Sequence, residues 1–84
     1  MTYSIETITG TYSVELQTFD VWNFGTEYHG EIRRGSKVVG RITDFRQTGH
    51  GFVVSSNFLK GLSELEAVAL HLEAIRRHKR QAKA

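Results

Sequence analysis

Eight cations stand where they can meet phosphate. Arg33, Arg34, Lys37 and Arg41 form one run; Arg76, Arg77, Lys79 and Arg80 form a second, inside the basic stretch Ile75–Arg80. Guanidinium and ammonium groups contact phosphate oxygens whatever the base sequence. These eight are therefore the candidate nucleic-acid contacts. The second run has two further readings. It can satisfy a helix dipole at its negative end, or it can meet an acidic protein surface.

Trp22 and Phe24 place two large apolar side chains in a connecting segment, with Val21 beside them. In a small domain such residues close one end of the core, stand out as interface anchors, since Trp and Phe are favoured at hot spots, or, as the least favoured reading, stack on bases. Glu27 and Glu31 follow on what reads as one strand face. Trp22, Phe24, Glu27 and Glu31 are therefore the candidate protein-interface residues. The four histidines, His29, His50, His71 and His78, show no metal spacing. His71 and His78 lie about 10 Å apart on a helix, too far to share an ion without other ligands. Gly49-His50-Gly51 with Asp44, Ser55 and Ser56 nearby does not form a nucleophile elbow. The glycines match no phosphate-binding loop between a strand and a helix start. No catalytic residue, metal or cofactor is expected. The chain reads as a non-enzymatic binding module, expected first to contact nucleic acid through the basic residues of the sheet and C-terminal helix. The alternative is an inhibitor or adaptor that binds a host protein complex through the Trp22/Phe24 loop and the mixed-charge sheet face.

Charge sharpens this reading. The net charge is +2. Residues 1–60 balance six Lys/Arg against six Asp/Glu, residues 61–75 hold three glutamates and no cation, and residues 76–84 hold five cations and no acid. A localised patch attracts polyanions even on a nearly neutral chain. With no cysteine, disulfides and cysteine metal sites are excluded. No apolar run is long enough for a membrane helix, and Met1–Glu6 lacks the regions of a signal peptide. A cytoplasmic location is expected. Eighty-four residues make a single domain, residues 1–84, with a thin stability margin.

The elements that must carry these residues follow from two rhythms. Up to Gly61 apolar and polar residues mostly alternate, the period of strands; beyond it apolar residues recur every three or four, the period of a helix. Strands are expected at about 2–19, 26–34, 37–45 and 51–56. The alternation of Tyr3 and Ile5 is out of phase with that of Tyr12, Val14 and Leu16. Gly10 then marks either a hairpin turn, which is favoured, or a bulge in one long strand. Gly35-Ser36 reads as a tight hairpin. Residues 26–56 form a three-stranded antiparallel meander.

A helix is expected at about 63–80, running into a basic tail over 76–84. Ser63 is the N-cap and Glu66 completes a capping box. Leu65, Val68, Ala69, Leu72 and Ile75 form its apolar stripe, widened by Leu70 and Ala74. The fold class is α+β: an antiparallel sheet of four to five strands with one C-terminal amphipathic helix on one face. With the helix over Tyr28, Ile32, Val38 and Ile42, the open face presents Glu27, His29, Glu31, Arg33, Val39, Arg41 and Thr43. Its two glutamates count against a nucleic-acid surface there.

Residues 26–80 resemble the three-strands-then-helix modules of the AP2 and integrase arm-type DNA-binding families. The resemblance lies in residues 28–41, in Phe58 and in Ser63–Ala69. It implies that Arg33, Lys37 and Arg41 reach DNA from the sheet. The order of elements is also similar to the whirly single-strand-binding modules. In size and blandness the chain resembles small accessory proteins of phages and mobile elements, anti-CRISPR proteins among them, which implies an inhibitor or adaptor on a host complex. The expected partners are nucleic acid or a nucleic-acid-binding host protein complex, with no membrane, and the chain is a monomer or a homodimer.

Overall fold

In the computed structural model, residues 1–22, 25–45, 49 and 51–82 are described. Five strands, β1 (Thr2–Thr7), β2 (Gly10–Val21), β3 (Gly25–Arg34), β4 (Lys37–Phe45) and β5 (Gly51–Ser56), form one antiparallel sheet in the order β1-β2-β3-β4-β5. A 3₁₀ turn (Phe58–Lys60) leads into α1 (Glu64–Ala82), which lies across one face. This is the α+β architecture expected from the two rhythms.

The N-terminal stretch is two strands, so the hairpin reading of Gly10 holds. Ile8 and Thr9 make the turn, and Tyr3 pairs with Val14 while Ile5 pairs with Tyr12. The change of phase is what lets all four face the helix. At the β3–β4 hairpin Gly35 adopts φ 63°, the positive value a tight turn needs. Helix α1 starts as read from the sequence. The Glu66 amide donates to Ser63 Oγ at 3.2 Å, and Ser63 Oγ donates back to the Glu66 carboxylate at 3.4 Å.

Two expectations of phase are corrected. Between Ile32 and Arg33 the register slips: Ile32 pairs with Gly40, Arg33 with Val38. Val39 is the extra residue of a β-bulge and turns into the core, 3% exposed, while Val38 is half-buried. The second correction concerns the helix. Ala67, Leu70, His71, Ala74 and Ile75 are buried, whereas Leu65, Ala69 and Leu72 are exposed and Val68 is half-buried. The stripe read from the sequence is therefore turned mostly outward: of its members Ile75 is buried and Val68 packs against the edge of the core, joined by the widening residues Leu70 and Ala74.

The cause lies in the sheet. Large side chains, Tyr12, Val14, Ile32 and Ile42, fill its helix-facing side, so the helix approaches through small residues, Ala67 and Ala74. Where β3 and β4 offer glycine, the helix side inserts bulk. A Cβ on Gly30 would lie 2.7 Å from His71 Nδ1, and one on Gly40 3.0 Å from Leu62 Cδ2. His71 and Asp44 are fully buried, with Nε2 3.8 Å from Oδ2. Gly30→Ala is expected to lower stability by about 1–3 kcal/mol, since an added carbon in a filled core forces its neighbours off their rotamers. Asp44→Ala, which removes the carboxylate facing a buried imidazole, is expected to cost about 3 kcal/mol or more. Urea unfolding followed by circular dichroism checks both.

Candidate functional site

The eight candidate cations are not brought to one place. Arg33 and Arg41 point from β3 and β4 onto the open face. There they converge on Glu31: Arg33 donates through Nε at 2.9 Å and Nη2 at 2.6 Å, and Arg41 through Nε at 3.3 Å. The cause is register, because Glu31 and Arg41 are direct cross-strand partners. The hydrogen bond from Arg33, followed by the charges of both guanidiniums, holds the Glu31 carboxyl below its ordinary pKa. Arg34 turns to the other side, where its guanidinium lies 5.9 Å from the Tyr12 ring centre and against Gly10 and Gly61. Lys37 sits exposed at the β3–β4 hairpin.

The second run lies at the end of α1, on the face of the sheet opposite Arg33 and Arg41. Arg76 binds Glu73 through Nε at 2.8 Å and Nη2 at 2.5 Å, and Arg77 binds it at 3.0 Å. These hydrogen bonds hold the Glu73 carboxyl down at about 2, and the Arg76 pKa is raised in turn. Arg77 also donates to the Ser4 carbonyl at 2.8 Å, tying the helix to β1. The Lys79 ammonium lies 5.8 Å from the Tyr28 ring centre. Arg80 is exposed and makes no ion pair among the described residues.

The open face is more acidic than basic. Alternation places Glu6, Glu15, Glu27 and Glu31 on it against Arg33 and Arg41. Glu15 and Glu31 are direct partners across β2 and β3, a repulsive pairing that the two arginines offset. The Glu27 carboxylate accepts from His29 Nε2, and the His29 ring packs on Phe19 at 4.7 Å. Glu15, Gln17, His29, Glu31, Arg41 and Thr43 line a shallow depression of about 240 Å³.

Trp22 lies at the β2–β3 turn and is 88% exposed. Of its three readings, core closure is thereby excluded, and the interface anchor and base stacking stay open. Phe24 and His50 lie outside the described residues. Three ladder positions, about 10 Å, separate Tyr28 from Gly25 at the strand end. Since Lys79 lies over Tyr28, the Trp22 turn and the basic end of α1 occupy the same end of the molecule.

Among the described residues, those considered for catalysis are not brought together. Ser55 lies on the open face, while Asp44 and His71 are buried under the helix. Ser56 is on the helix side, but four residues along β5 from Phe52, the partner of Asp44, which is about 13 Å. Among the described residues, no three His, Cys, Asp or Glu are grouped to hold a metal ion, and no helix is long and apolar enough to cross a membrane. The buried His71–Asp44 pair escaped the sequence reading, because 27 residues separate its members and only the fold joins them.

No protein-family model matches the chain, and neither the curated proteins nor the solved structures give a match.

The low pKa of Glu73 fixes a pH dependence. A carboxyl depressed in the folded state contributes stability above its unfolded pKa, and that contribution is lost as pH falls through the folded value. The arginine clamp is therefore intact at neutral pH and is lost between about 4.5 and about 2. Because the pair is largely solvated, the loss is expected to be under about 1 kcal/mol. Glu73→Gln should remove that part of the acid sensitivity, measured as the difference in thermal midpoint between variant and wild type from pH 6 to pH 2.

Proposed function

We propose that the chain is a non-catalytic module that binds a partner protein, docking through the Trp22 turn. The observation that carries this reading is the exposure of Trp22. A lone exposed apolar residue is ordinary, but an indole at the tip of a hairpin is placed where a partner can bury it whole, and Trp is among the residues enriched at interface hot spots. The two-strand ribbon behind it, nine paired positions long, presents it on a rigid support. Trp22 lies beyond the ladder, so a partner can bury it without disturbing the sheet. An adaptor or an inhibitor that occupies a site on a larger complex works this way, without chemistry of its own.

The nucleic-acid reading has one observation in its favour. Lys79 and Arg80 stand at the same end as Trp22, and cations beside an exposed aromatic suit a single strand, whose bases stack on the ring. Against it, four of the eight candidate cations, Arg33, Arg41, Arg76 and Arg77, are bound to two glutamates. The rest are divided between opposite ends of the molecule.

Trp22 is the chain's single tryptophan, so its emission reports its own environment. The free protein is expected to show the red-shifted emission of a solvated indole. Addition of short single- and double-stranded DNA at low and moderate salt is expected to leave it unchanged. Salt-sensitive quenching by DNA would reject the protein-binding reading in favour of the nucleic-acid one. Trp22→Ala is expected to change stability by no more than about 0.5 kcal/mol and to abolish capture of the partner that wild type retains from cell extract. A variant that unfolds, or that captures the same partner, would remove Trp22 as the anchor.

A further inference from the structure

Helix α1 has two apolar faces, and the sheet uses one. Ala67, Leu70, His71 and Ala74 face the core. On the opposite side Leu65, Ala69 and Leu72 recur at i, i+4 and i+7; Leu65 is 85% exposed and Leu72 40%. Beside this seam an apolar groove of about 400 Å³ opens between the helix and the β1–β2 hairpin, walled by Ile5, Ile8, Ala69 and Leu70, with Glu66 at its rim. Ile8, at the hairpin tip, is fully exposed. The charges along the helix are ordered: Glu64 and Glu66 in the first turn, Lys79 and Arg80 in the last. A surface with acid at one end and base at the other is complementary to itself when reversed.

We infer that a second copy of the chain covers this face. The two α1 helices pack antiparallel about a two-fold axis near Leu72, so that Glu64 and Glu66 of each copy meet Lys79 and Arg80 of the other. This rests on the back of the helix and is independent of the role of Trp22.

The spacing supports it in detail. With the axis at Leu72, residues equally far before and after it fall level across the pair. Glu64 falls level with Arg80, Leu65 with Lys79, and Val68 with Arg76. At about 100° of turn per residue, Glu64 and Lys79 lie on one side of the seam, and Glu66 and Arg80 on the other. Each acid thus finds a base on its own side. Arg76 lies in the seam, but its guanidinium is bound to Glu73, which leaves its methylene stem to pack on the opposing leucines. In the pair, the Arg76 and Arg80 stems of one copy would pass over the groove beside Ile8 of the other. A two-fold interface needs one self-complementary patch, and this patch has that property. A parallel pair would set like charges side by side. A foreign helix would have to reproduce both the apolar spacing and the reversed charge order. The antiparallel pair leaves the two Trp22 turns free at opposite ends of the assembly.

Sedimentation velocity on the full chain, from about 10 to about 1,000 μM, tests the inference. A monomer–dimer equilibrium that weakens with added salt is expected. Leu72→Glu sets two carboxylates at the axis and is expected to leave only monomer; Leu65→Lys, at a more exposed position, does the same beside Lys79. Circular dichroism of both confirms the fold. Glu64→Lys and Lys79→Glu are each expected to weaken the dimer by at least about tenfold through like-charge contacts. Their one-to-one mixture is expected to recover it as a heterodimer. A monomer at every concentration overturns the inference. So does a dimer that survives both leucine variants, or a mixture that associates no better than either variant alone.

Discussion

The structure depends on how closely α1 can approach the sheet. That distance is set by the notch at Gly30, into which His71 fits beside Asp44. A side chain at residue 30 would press on the imidazole and force it to shift. Once His71 is seated, the rotation of the helix is settled. Ala67 and Ala74 lie over the bulky residues of β2 and β3, Leu62 enters above Gly40, and the terminal turns reach their anchors. Those anchors secure both ends of the helix. At its start Tyr12, fully buried, donates its hydroxyl to the Gly61 carbonyl at 3.2 Å, and Thr9 donates to Glu66 at 2.7 Å. Near its end the Tyr3 hydroxyl meets His78 at 3.0 Å, and Arg77 reaches the Ser4 carbonyl.

The same rotation explains why a third of the chain's leucines are wasted on the fold. Leu65 and Leu72 are two of its six leucines, and both point to solvent. Exposed single apolar residues are ordinary, but a spaced set on one helix face is not. The core prefers alanine and histidine at the contact because the sheet supplies the volume. Close packing is satisfied by complementary sizes, not by the largest hydrophobe available on each side.

Much of the fold was legible in the residues. The change of period near Gly61, the Gly35-Ser36 hairpin and the Ser63–Glu66 cap are local signals, and each specifies its own element. What was illegible depends on contacts between elements. Leu65, Val68, Ala69 and Leu72 satisfy a helical period as well as Ala67, Leu70, His71 and Ala74 do. The choice between them rests on two glycines in strands more than 20 residues away. The bulge at Val39 inverts a face through one unpaired residue; Gly40 is the one local hint, and a glycine within a strand marks a close backbone approach as readily as a bulge. The candidate cations were visible as residues, but their engagement was not. Glu31 captures Arg41 across strands, and Glu73 captures two arginines one turn on. A count of charge along the chain overstates what these cations present to a polyanion.

These two glutamates also order the rest of the surface. Each holds two arginines: with Glu15 beside it Glu31 balances the middle of the sheet face, and Glu73 cuts the charge of the penultimate turn of α1 from two to one. Among the described residues, the cations outside these clamps stand toward the extremities: Arg34, Lys37 and Lys60 at one end, Lys79 and Arg80 at the other. Apolar exposure follows the same pattern, with Trp22 at the end shared with Lys79 and Ile8 and Leu65 toward the opposite one. Burying a charge beside an apolar contact is costly, whereas a charge at its rim orients the partner and speeds encounter. Trp22 thus shares one end of the molecule with Lys79 and Arg80, while the clamped arginines lie toward the middle of the fold, and the proposed docking of a partner protein draws on that separation.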